Sequence, residues 1–184
     1  MLILILGLAL WWGAHFFKRA APEARTRLGD AGRGYVALAL GVSVVLMVWG
    51  YRVAPMGTVW WGPSAMMKGI NNLLVLVAIY LFAASGMKTA VTRHIRHPQL
   101  LGFALWAFAH LLVNGDLPSL VLFGGLLLWS LAEIWAINSA EPGWQPPLVP
   151  VVPRREAMAA LGAVLVFVVV GLIHGWLGYN PFGA

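Results

Sequence analysis

The feature that most constrains this chain is a succession of long apolar runs, each ended by a short charged or Pro/Gly-rich break. The runs cover residues 2–17, 34–51, 69–87, 98–113, 117–137 and 157–178. A helix crossing a bilayer needs roughly 20 mainly apolar residues, so the pattern predicts about six transmembrane helices. Composition agrees: of 184 residues, 61% are hydrophobic and 10% are charged, against roughly 25% charged in an average soluble domain. The expected fold class is therefore all-α, a polytopic integral membrane helical bundle, with residues 1–184 forming one transmembrane domain. The first run has no basic segment before it and no small-x-small cleavage pattern after it, so it reads as a retained helix rather than a signal peptide. The fourth and fifth runs are joined by Asn114-Gly115-Asp116-Leu117-Pro118, a turn tight enough to make them an antiparallel hairpin.

Lys and Arg number 12 and Asp and Glu 6, a net charge of +6. The cations do not form a face interleaved with aromatics, as a nucleic-acid surface would. They sit instead in short loops: Lys18, Arg19, Arg25, Arg27 and Arg33 after the first run, Lys88, Arg93 and Arg96 after the third, Arg154 and Arg155 after the fifth. Only Arg52 and Lys68 fall in the alternate loops. The positive-inside rule then places the cation-rich loops in the cytoplasm and both termini on the other side. Trp60, Trp61, Trp144 and Trp176 fall near run ends, as interfacial anchors do.

An ionisable group within a membrane costs on the order of 3 kcal/mol on insertion scales, and those that persist usually face a bundle interior or a water-filled cavity. His15, His110, Glu133 and His174 are such groups. Trp106, His110 and Asn114 are spaced one turn apart and share one helix face. Glu133, near the expected cytoplasmic end of the fifth run, is placed to meet Arg93, Arg96 or water. His174 lies between Gly171 and Gly175, a small-xxx-small spacing that permits close helix packing. A lone membrane histidine is either a hydrogen-bonded core residue or a ligand, and two in different helices open the way to axial haem ligation. The chain has no cysteine, which removes disulfides, iron–sulfur clusters, thiolate-ligated haem and covalent haem attachment. Any haem would be b-type, held by His or Met. No phosphate-cradling glycine loop or His-x-x-x-His motif is present.

The densest polar stretch runs Thr92-Arg93-His94-Ile95-Arg96-His97-Pro98-Gln99. Proline suits the first turn of a helix, so His97 stands at a helix entrance with Arg93 and Arg96 beside it. This arrangement suits a carboxylate, a phosphate or a haem propionate. The alternative is a basic loop held by anionic lipid.

The block Arg96-His97-Pro98-Gln99-Leu100-Leu101-Gly102, with Trp106, Ala109-His110 and Asn114-Gly115 after it, resembles the NnrU family of bacterial membrane proteins, as do His15 at the end of the first run and Gly29-Asp30-Ala31-Gly32-Arg33-Gly34-Tyr35 before the second. The resemblance runs over nearly the whole chain. It implies a bacterial inner-membrane protein associated with denitrification and with nitrite or nitric oxide metabolism. A plant and cyanobacterial relative, zeta-carotene isomerase, is a haem-b membrane enzyme whose axial histidines match His15 and His110. The resemblance thus implies haem b as cofactor, His15 and His110 as metal ligands, and Arg93, Arg96, His97, Trp106 and Asn114 as the cofactor-binding surroundings. The activity so implied is redox, nitric oxide sensing or isomerisation, with a small hydrophobic or gaseous ligand and no nucleic acid.

Depth argues against that pair in ideal helices. His15 lies near the cytoplasmic end of its run and His110 about 12 residues into the fourth, which at 1.5 Å per residue separates them by roughly 15 Å. His110 with His174 is the geometrically easier pair. The Arg-His-Pro block also looks like part of the isoprenylcysteine and phospholipid methyltransferases, with the single Glu133 where those have a Glu pair. That likeness gives the alternative of a haem-free methyltransferase-like or accessory protein.

Overall fold

The computed structural model describes residues 1–183, and every regular element in them is helical. The chain folds as α1 (Leu2–Ala20), α2 (Pro22–Arg27), α3 (Ala31–Val53), α4 (Ala65–Met87), a single 3₁₀ turn (Ala90–Arg93), α5 (Pro98–Val113), α6 (Leu117–Ala140) and α7 (Pro153–Trp176). Five of these helices are long and apolar enough to cross a membrane. The fourth expected span, α5, has 16 residues and is about 24 Å long at 1.5 Å per residue, short of a hydrocarbon core of roughly 30 Å. It is nonetheless apolar throughout and packs along α4 and α6. The short α2 is an addition that the run pattern does not contain.

Helix limits follow local chemistry. Proline occupies the first turn of α2, α5, α6 and α7, where its missing N–H costs nothing. Ser64 caps α4 by accepting from the Met67 N–H at 3.2 Å. Asp116 caps α6 by accepting from both the Ser119 N–H at 2.9 Å and the Ser119 hydroxyl at 2.7 Å. The α4 chain direction ends at Lys88, which is left-handed at φ 53°.

The helices pack as a row in the order α3, α1, α6, α5, α4, α7. The row curls, because side chains of α3 and α7 face a common cavity in front of α5 and α6. Small residues set the close approaches. A Cβ on Gly102 of α5 would come within 2.7 Å of the Ala78 carbonyl of α4, and one on Gly50 of α3 would strike the backbone of Leu4 in α1. Ala104, Ala107 and Ala109 bury the rest of α5 against its neighbours, the close small-residue packing that membrane helices use.

Contacts beyond the helices show which ends lie together. On one face Arg19 reaches Glu133, Arg96 reaches Glu141, the Ala90 N–H reaches Glu156, and Arg93 reaches the Val149 carbonyl. On the opposite face the α3–α4 loop pairs with the α5–α6 turn through Trp60 N–H to Gly115 O and Gly115 N–H to Trp61 O. Lys68 and Asn72 hold the carbonyls of Gly183 and Pro181 there. The cation-rich loops therefore share the first face, and the start of α1 and residues 181–183 lie on the second.

Candidate functional site

His110 lies in the last turn of α5, with Trp106 and Asn114 one turn to either side as their spacing requires. Its Nδ1 lies 2.8 Å from the Trp106 carbonyl. A carbonyl only accepts, so Nδ1 carries the proton and neutral His110 keeps a lone pair on Nε2. The Trp106 ring, 4.9 Å away, and the Phe123 ring of α6, stacked at 4.7 Å and 28°, hold the imidazole. Asn114 donates to the His110 carbonyl at 2.8 Å and so finishes the helix.

His174 of α7 makes the same bond, from Nδ1 to the Val170 carbonyl at 2.8 Å. It shares with His110 and Trp106 the walls of two chambers. The larger, about 400 Å³, is also lined by Trp11, Met47, Tyr51, Arg52 and Phe123. The smaller, about 220 Å³, is also lined by Asn71, Asn72 and Phe182, the last folded back from beyond α7. The Asn71 carbonyl oxygen is buried there with no hydrogen-bond partner among the described residues. Such an orphaned group costs about 1–3 kcal/mol unless something pairs with it. Tyr51 is fixed by its hydroxyl, 2.8 Å from the Ser119 Oγ.

His15 is elsewhere. It also bonds its Nδ1 to the carbonyl four residues back, Trp11, at 2.9 Å, but its ring lies between Trp11 and Trp129, 4.4 Å from each. It lines a separate cavity of about 350 Å³ with Gln99 and Glu133. Trp11 and Phe103 stand between that cavity and the His110 chamber, lining both. His15 and His110 therefore share no cavity, whereas His110 and His174 share two.

Glu133 is 5% exposed, and its partner is Arg19 of α1, 3.0 Å away, rather than the expected Arg93 or Arg96. The order of the row sets the end of α1 beside α6, a neighbour that sequence separation concealed. The Arg93–His97 block does not converge on one anion. Arg93 donates from Nε and Nη2 to the Val149 carbonyl, Arg96 pairs with Glu141 at 3.5 Å, and His97 Nε2 meets the Asn138 amide oxygen at 2.9 Å. The block thus ties α5 to α6 and to the segment before α7, on the face away from His110. Arg93, His97 and Glu133 likewise share no cavity of the methyltransferase kind.

Among the described residues no three or more His, Cys, Asp or Glu gather to hold a metal ion; the site offers a histidine pair. Each imidazole is oriented by a carbonyl on Nδ1 and keeps Nε2 as its second ring nitrogen, as metal-ligating histidines do, and His15 is held in the same way. The residues that sequence reasoning did not assign to the site are Tyr51, Phe123, Phe182 and Asn71, the last of which reads from sequence as an interfacial or interhelical hydrogen-bonding residue. Only Asn71 carried a signal, as a polar residue early in an apolar run; the others are ordinary apolar or interfacial positions until the helices meet.

Neither the curated proteins nor the solved structures contain a match to this chain. A family model described as NnrU protein matches residues 3–181, a span that takes in all seven helices but the first residue of α1, and the chain is therefore a member of the NnrU family.

Proposed function

We propose that this NnrU-family chain is a haem-b-binding protein of the bacterial inner membrane, with His110 and His174 as the axial residues. One observation carries the reading: two imidazoles on different helices, each with Nδ1–H held by a carbonyl, line the same chambers. When bound, haem supplies one-electron redox chemistry and an iron at which small nitrogen oxides bind. The chain's own residues do the rest. Trp106, Phe123 and Met47 provide an apolar wall, and Arg52 is the cation placed to pair with a propionate in the larger chamber. Asn71 offers a polar group in the smaller one. With both histidines holding a haem, a gaseous ligand would have to compete with one of the two imidazoles. His174 would be the weaker-held of the two, because α4 is the one helix on which α7 packs extensively.

The family's association with nitrite and nitric oxide metabolism supports a redox or gas-binding role over polyene isomerisation. The gathering of the cation-rich loops on one face supports that face as cytoplasmic.

The test is the visible spectrum of the protein purified in mild detergent after expression with haem supplied, before and after dithionite. A Soret band that is lost in His110→Ala and His174→Ala but kept in His15→Ala is the expected result. No Soret band in the wild type overturns haem binding. A band lost in His15→Ala and kept in His174→Ala moves the axial role to His15.

A further inference from the structure

The cavity beside His15 has a chemistry of its own. Its walls are aromatic, with Trp11, Phe103 and Trp129 packed at 5.1 to 6.0 Å between centroids, and His15, Gln99 and Glu133 are its polar lining. Glu133 gives one oxygen to Arg19 and has a second without a partner among the described residues. His15, with Nδ1 held by the Trp11 carbonyl, keeps Nε2 as an acceptor. Gln99 adds a side-chain amide to the same wall. Two donors complete the set: the indole N–H groups of Trp11 and Trp129 are buried with no acceptor among the described residues.

A buried N–H without an acceptor is rare enough to need a reason. Here two lie in the rings that wall one cavity, beside two acceptors without donors. The complement is a flat, apolar, conjugated ring with oxygen at its edge, which accepts from an indole or amide in its carbonyl form and donates to Glu133 or His15 in its hydroxyl form. A conjugated ring suits aromatic walls, which meet edge to face at Trp129; neutrality follows from the absence of a free cation in the lining, and lipid solubility from the position within the bundle. The cavity is bounded by α1, α4, α5 and α6, and α1 and α4 do not pack extensively on each other, which leaves a side entrance from the bilayer.

We propose that this cavity is a binding site for a lipid-soluble quinone or its quinol, with Glu133 and His15 accepting from the hydroxyls and Trp129 and Gln99 donating to the carbonyls. The proposal rests on the His110–His174 reading in one respect: His15 must be free of haem. The bound ring would then be separated from the His110 chamber only by Trp11 and Phe103, which line both.

The experiment is equilibrium dialysis of a short-tailed 1,4-benzoquinone against the detergent-solubilised full chain, with the visible spectrum recorded on the same samples. Saturable binding of one quinone per chain is expected, weakened about tenfold, the equivalent of about 1.4 kcal/mol, by Trp129→Phe and by Glu133→Gln, with the Soret band unchanged. Gln99→Leu, at a residue outside the ion pair and the aromatic packing, serves where either variant fails to fold, and the same loss is expected of it. Absence of saturable binding, or an affinity that none of the folded variants alters, overturns the proposal. So does loss of the Soret band in His15→Ala, since the cavity would then belong to the haem. Quinone binding with the expected variant losses in a protein that shows no Soret band leaves the quinone site standing and removes the haem reading alone.

Discussion

The Nδ1 of His110 donates to the carbonyl of Trp106, one turn earlier in the same helix, at 2.8 Å. That bond is made within α5 and does not depend on a neighbour, so the orientation of the imidazole is set when the helix forms. What the neighbours supply is the stacked Phe123 ring at 4.7 Å and His174, which lines the same chamber. Because the ring is held on one side by backbone and on the other by packing, His110→Gly should leave a slot shaped for free imidazole. Adding millimolar imidazole to that variant is expected to restore most of the Soret absorbance; no recovery in a variant that remains folded would show that His110 is not an axial residue.

Glu133 is buried, and Arg19 is its charged partner. Removing one member of a buried pair leaves the other charge uncompensated, a cost of about 3–5 kcal/mol when fully buried. The Arg19 side chain is 36% exposed, so solvent screening reduces this to about 1–2 kcal/mol. Arg19→Ala should lower the thermal midpoint in detergent, and Arg19→Ala combined with Glu133→Gln should lose less than the two single changes together. Strict additivity in that cycle would mean that the ions do not interact.

Gly102 is where α5 comes closest to α4. A methyl group there meets the Ala78 carbonyl at 2.7 Å, backbone that cannot swing aside, so the helices must separate. Overpacking of this kind costs about 1–3 kcal/mol. Gly102→Ala should reduce thermal stability by that amount, and Gly124→Ala, where a Cβ meets nothing within 4 Å, should leave it nearly unchanged. Equal effects at the two sites would refute the close-approach argument.

Orientation in the membrane is open to a clean test because the chain has no native cysteine. Arg25→Cys, on the cation-rich face, should be protected from a membrane-impermeant maleimide in cells with a permeable outer envelope and an intact inner membrane. Gly62→Cys, in the loop between α3 and α4, should be labelled under the same conditions. The opposite pattern would invert the topology and place the cation-rich loops outside.

The six apolar runs, the start of α5 at Pro98 and the Trp106–His110–Asn114 stack were all legible in the sequence, because each depends on residues no more than a few turns apart. Helical periodicity and a lipid environment act locally, so the pattern of hydropathy carries the fold class and the run limits to within a few residues. The length of α5 was equally visible, and its deficit is met by packing rather than by more residues. Which groups meet was a different matter. That Glu133 pairs with Arg19, that the Arg93–His97 block binds its own loops, and that His110 shares its chambers with His174 while His15 sits behind Trp11 and Phe103 are outcomes of the order and curl of the helix row. Helix order depends on steric fit among residues such as Gly50, Gly102 and their partners, which lie far apart in the chain. Sequence therefore determined the set of polar groups held in the membrane, and the tertiary structure alone decided which of them face one another.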